Sequence, residues 1–163
     1  MNSGNINLTK LFFIASYMKS GNTWVRSIIC SLLNKGNFKL KDLNKIQLFS
    51  QKDSFLNLPN IKYALNGNID FEFICNNWLN AQKIISIESK QKIIFYKTHN
   101  VRGVINGNYF TDESVCSGFI YLIRDPRDIV ISYAKHMNIT IDKSIEILLY
   151  KNNYVTEVLN VNE

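Results

Sequence analysis

KLFFIASYMKSGNTWVRSIICSLLNKG, residues 10–36, decides the fold. Its opening, Lys10 to Tyr17, is a short apolar run rich in Phe and Ile, the composition of a strand buried on both faces. Met18-Lys19-Ser20-Gly21-Asn22 interrupts the run, and beyond it Val25, Ile28, Ile29 and Leu32 recur at i, i+3, i+4 and i+7, the spacing of one helix face. Thr23 is placed to start that helix, its hydroxyl satisfying a free backbone N–H. Lys35-Gly36 supplies the cation and the glycine expected past a helix end. The reading is strand, loop, helix.

Outward from there the signal fades. Between Asn37 and Asn77, Asn, Lys and Asp interrupt scattered Phe and Leu, Pro59 and Gly67 mark turns, and no chemistry is assigned. Trp78 to Ile87 reads as a helix, Lys92 to Tyr96 as a second strand ending at Lys97-Thr98-His99, and Gly118 to Ile123 as a third strand running into Arg124-Asp125. Pro126 then suits a first helical position, with Asp125 as cap and Asp128 in the first turn. Val130, Tyr133, Ala134 and Met137 form that helix's buried stripe, and Thr140 or Asp142 opens another helix whose Ile141, Ile145, Leu148 and Leu149 face inward. Continuous apolar strands separated by helices predict an α/β fold, a central parallel sheet between two helical layers. Ligands of such sheets gather at the strands' C-terminal ends, which brings Lys19, His99 and Arg124 to one edge.

The 163 residues suit a single domain, 1–163, and 46% hydrophobic with 20% charged residues is ordinary globular usage. Nineteen Lys plus Arg against 13 Asp plus Glu, a formal charge of +6, favour anionic partners in general. The lysines are scattered and lack the aromatic interleaving of a stacking platform, so a nucleotide pocket explains the charge more economically than a nucleic acid does. Three cysteines, Cys30, Cys75 and Cys116, without a CxxC pair or a companion His at metal spacing, argue against a disulfide framework or zinc site and point to a reducing cytoplasm. The apolar run Leu11–Ala15 is too short for a signal core, and nothing approaches a bilayer-spanning length.

A strand-to-helix loop is a natural anion site, because the helix's first N–H groups are unpaired and its dipole is positive there. Gly21 allows close backbone approach, Ser20, Asn22 and Thr23 offer side-chain donors, and Lys19 adds a mobile cation. An ordinary capped βα turn is the plain alternative. The loop does not follow the Walker spacing, and no carboxylate suited to Mg²⁺ is evident, which argues against a nucleotide kinase.

YMKSGNTW, Tyr17 to Trp24, resembles the 5′-phosphosulfate-binding loop of the cytosolic and bacterial sulfotransferases, with Met18 where that family usually has Pro. YLIRDPRDIVISYAKHM, Tyr121 to Met137, is similar to the family's 3′-phosphate-binding segment, and Lys97-Thr98-His99 to the KTH of its catalytic segment. The resemblance spans Leu11 to about Asn138 and implies a P-loop-like three-layer α/β/α fold that uses 3′-phosphoadenosine 5′-phosphosulfate (PAPS) and releases 3′-phosphoadenosine 5′-phosphate (PAP). It implies that Lys19 supports the bridging oxygen, that the loop with Ser20, Gly21, Asn22 and Thr23 holds the 5′-phosphate, and that Trp24 packs near the nucleotide, unless Trp24 is a core aromatic. Lys97 is implied to stabilise sulfuryl oxygens, unless it is a strand-end cation facing water, and His99 to act as general base. Arg124 and Ser132 are assigned the 3′-phosphate; a salt bridge from Arg124 to Asp125 or Asp128 is the alternative. Arg127 and His136 read as surface. No metal is expected, because Lys19, Lys97 and Arg124 supply the positive charge.

The family's C-terminal Arg-Lys-Gly and GxxGxW elements have no counterpart before Glu163. A shortened chain, a partial reading frame and a small complete protein are all compatible with that. If it is complete, an exposed apolar patch is expected where further helices would pack, covered by a second copy or a partner chain. Two functions follow: transfer of a sulfuryl group to a hydroxyl or amine of a small molecule or glycan, or a non-catalytic PAPS/PAP-binding module or inactive remnant.

Overall fold

The computed structural model describes residues 9–49, 52–100 and 103–149. Strand β1 (Lys10–Ser16) is the middle of a three-stranded parallel sheet, between β2 (Ile93–Thr98) and β5 (Cys116–Leu122). The central position explains its composition: Leu11, Phe13 and Ile14 are fully buried and no β1 residue is exposed. Phe13 points to one face, where its ring meets Phe49, Phe110 and Phe119 at centroid distances of 5.6, 5.1 and 5.5 Å. Helices α2 (Phe71–Asn76) and α3 (Trp78–Glu88) contribute Phe73, Ile74, Trp78 and Ala81 to that core. Ile14 points to the other face, against Cys30, Val25 and Ile29 of helix α1 (Asn22–Leu33). Helices α4 (Pro126–Met137) and α5 (Ile141–Leu149) follow β5 and pack on each other. The expected α/β layering with a parallel sheet is therefore the observed one.

Several local expectations are corrected. Strand β2 continues through Lys97 and Thr98, because the backbone of Lys97 bonds on its outer side to Gln47 O (2.8 Å) and Phe49 N (3.0 Å). The stretch 37–77 is far from featureless: 3-10 turns at Leu40–Lys45 and Lys52–Ser54 and helix α2 lie in it, and Ile46, Phe49, Phe55, Leu58 and Ile69 enter the core. Val104–Ile105 (β3) and Asn108–Tyr109 (β4) pair as a small hairpin around Asn106-Gly107, both at positive φ, the Asn-Gly turn that favours tight hairpins.

The buried faces of the helices are also rotated. Ile28 and Leu32 of α1 are exposed while Cys30 is buried, because the Asn22 amide fixes the helix's start by donating to Ile14 O and Ser16 Oγ at 2.9 and 3.1 Å. In α4, Ile129 joins Tyr133 and Ala134 inside, and Met137 is exposed. Helix α5 docks through Ser144, whose hydroxyl donates to Val130 O, so Ile141, Ile145 and Leu149 face away from the described residues rather than inward. Past α1, Lys35 N and Gly36 N bond to Leu32 O and Ser31 O, a Schellman closure whose first left-handed residue is Lys35, with Gly36 the next.

Candidate active site

The loop between β1 and α1 is shaped by two left-handed residues, Lys19 at φ 60° and Gly21 at φ 98°. A side chain at Gly21 would meet no atom within 4 Å, so the glycine is required by its backbone angle and not by crowding. Gly21, and not Thr23, is the N-cap of α1, and Thr23 lies exposed inside the first turn. Among the described residues no side chain caps the helix, and no acidic residue lies in its first turn, an arrangement in which the leading N–H groups and the positive end of the dipole can take an anion. The Ser20 hydroxyl is buried here without a hydrogen-bond partner among the described residues. Asn22 departs from expectation: both its amide bonds run into the fold, so what it can offer an anion is backbone N–H.

The other two strand ends close on this loop. Arg124, two residues past Leu122 at the end of β5, donates from Nη1 to Lys19 O at 3.1 Å, while its Nε lies 3.6 Å from Asp128. The expected alternative salt bridge is thus present beside the loop contact, and Asp125 is occupied elsewhere, capping α4 and pairing with Arg127 at 2.6 Å. His99, directly beyond β2, donates from Nδ1 to Ser16 O at 2.8 Å, since a carbonyl can only accept. That bond fixes the tautomer and leaves the Nε2 lone pair as the basic position. Burial, and secondarily the neighbouring Lys97 charge, hold the His99 pKa below 6.5, against a smaller opposing effect of the Ser16 bond. A neutral imidazole at neutral pH results.

Lys97 pairs in register with Ile14 and shares its face of the sheet, under α1. It is half-buried rather than water-facing, and burial first, then the charges of Arg26 and Lys19, depress its pKa below 10.5. Trp24 is 78% exposed, which rules out the core role and leaves a large aromatic surface next to the loop. Ser132 is half-buried on α4, and Arg127 and His136 are exposed as expected. Lys19, Lys97, His99 and Arg124 thus lie at one edge of the sheet, around the end of β1. Arg26, a half-buried cation in α1 that acts electrostatically on Lys97, was not apparent in the sequence; the one signal was a charge inside the WVRSII run. Among the described residues no group of His, Cys, Asp and Glu is arranged to hold a metal ion, and no helix is long and apolar enough to cross a membrane.

A parallel α/β sheet that brings a strand-to-helix loop, an Arg and a His together at its strand ends defines the class of domain. The sulfotransferase domain family matches residues 10–161, and the chain belongs to that family. Among solved structures it is similar to retinol dehydratase in complex with androsterone and the inactive cofactor PAP, at 17% identity and a TM-score of 0.47. That similarity covers 84% of this chain, which spans 44% of the retinol dehydratase chain. No curated protein matches the sequence.

Proposed function

We propose that this chain is the nucleotide-binding part of a PAPS-dependent sulfotransferase acting on a hydroxyl or amine of a small molecule or glycan, in a single domain over 1–163, in the cytoplasm. The observation that carries this reading is the Arg124 to Lys19 hydrogen bond, which joins the phosphate loop to a guanidinium fork. The orphaned Ser20 hydroxyl and the uncapped start of α1 fit a phosphate oxygen acceptor.

In this reading the N–H groups at Ser20, Gly21, Asn22 and Thr23, the Ser20 hydroxyl and Lys19 hold the 5′ end, and Arg124 with Ser132 holds the 3′-phosphate. The exposed face of Trp24 packs against the nucleotide. When bound, PAPS supplies an activated sulfuryl group, and Lys97 and Lys19 oppose the negative charge around it. His99 takes the acceptor's proton at Nε2, held in orientation by the Nδ1 bond to Ser16. The free cysteines suit a reducing compartment. A second copy or a partner chain is proposed to cover the exposed apolar side of α5.

Transfer of labelled sulfate from PAPS to a panel of phenols, alcohols, amines and glycans tests this. His99→Ala is expected to lower transfer about 10²–10⁴-fold with PAP affinity unchanged. Comparable turnover in that variant would remove His99 as base. PAP binding with no transfer by the parent chain would select a module that holds the nucleotide without turnover.

A further inference from the structure

The cation that the sequence reading passed over is built into the site by the segment that looked featureless. Arg26 lies one turn past Asn22, and helical side chains lean toward the N-terminus, which tips it toward the phosphate loop. Its Nη2 donates to Leu43 O at 2.6 Å, and its Nε is buried without a partner among the described residues. A few residues on, the same segment grips Lys97, through Gln47 O and Phe49 N. Residues 43–49 are therefore a strap that fixes Arg26 and the Lys97 backbone relative to one another.

Among the described residues, none of Lys19, Arg26 and Lys97 forms an ion pair with a carboxylate. Asp42, the carboxylate that precedes the strap in the chain, is taken by Lys45 at 2.9 Å. Partly buried like charges without counter-ions repel, and an arrangement that keeps them together is stabilised by an anion. The strap holds Arg26 through Leu43 O and Lys97 through Gln47 O and Phe49 N, and of the charges acting on Lys97 that of Arg26 comes ahead of that of Lys19.

We infer that Arg26 is a further anion-binding residue of this site, directed with Lys97 at the sulfuryl end of the donor and not at its phosphates. The inference rests on the PAPS reading above. PAPS and PAP share every phosphate and differ by the sulfuryl group, so their relative affinity isolates what Arg26 reads.

Calorimetric titration of the parent chain and of Arg26→Gln with PAPS and with PAP makes the test. The expected result is a PAPS-to-PAP affinity ratio about tenfold smaller in Arg26→Gln, with PAP affinity unchanged. An unchanged ratio, or an equal loss for both ligands, overturns the inference while leaving the PAPS reading standing. Failure of the parent chain to bind either ligand sinks both, and is told apart by that control. Should Arg26→Gln not fold, ¹⁵N spectra of the parent chain decide: the Arg26 Nε resonance is expected to move with PAPS and not with PAP, and the same response to both, or to neither, overturns the inference.

Discussion

His99 shows how a single side chain inherits its chemistry from its surroundings. Burial and Lys97 favour the neutral imidazole, so its folded pKa lies below the 6.5 of an unfolded histidine. The unfolded chain then binds the proton more readily, and stability present above about pH 6.5 is lost as pH falls toward the folded value. Melting temperature is expected to drop across that window and to drop less in His99→Asn; identical pH profiles would show that another group is responsible. Under the proposed function catalysis has the same sign, and the acidic limb of transfer is expected below pH 6.5. The residue's place was legible in the sequence because Lys97-Thr98-His99 ends a strand, whereas its tautomer required the Ser16 carbonyl, which lies 83 positions away in the chain.

At the scale of elements, strand, loop and helix over residues 10–36 were readable because each carries its own period and its own breaker. The helix faces were read less well, since rotation about an axis is set by tertiary bonds: Asn22 to β1 for α1, Ser144 to Val130 for α5. The strap was not legible at all. Its apolar residues follow no period, and Phe49 becomes core because it bonds to Lys97 O and its ring meets Phe13, Phe55, Tyr96 and Phe110. Phe49→Ala is accordingly expected to destabilise by about 3–5 kcal/mol in denaturant titration. It should also loosen the β2 end, seen as faster amide exchange at Lys97. A loss under about 1 kcal/mol would mean that the strap is a surface loop.

For the whole molecule, the parallel order β2-β1-β5 converts three separate sequence motifs into one edge. That convergence followed from the rule that ligands of such sheets meet the strands' C-terminal ends, so Lys19, His99 and Arg124 could be grouped before any contact was known. Arg26 escaped because a lone arginine in a helix is ordinarily a solvated charge, and only the strap ties it to the Lys97 backbone. The net charge of +6 is consistent with a polyanionic ligand without selecting one. What would select one is the proposed grip at both ends of a doubly phosphorylated nucleotide. Titration of PAP into the parent chain, Lys19→Ala and Arg124→Ala measures it most directly. Both variants are expected to bind at least about tenfold more weakly than the parent, since each removes a charged hydrogen-bond donor from a phosphate. Parent-like affinity in either variant, with its fold intact, would contradict the two-ended grip.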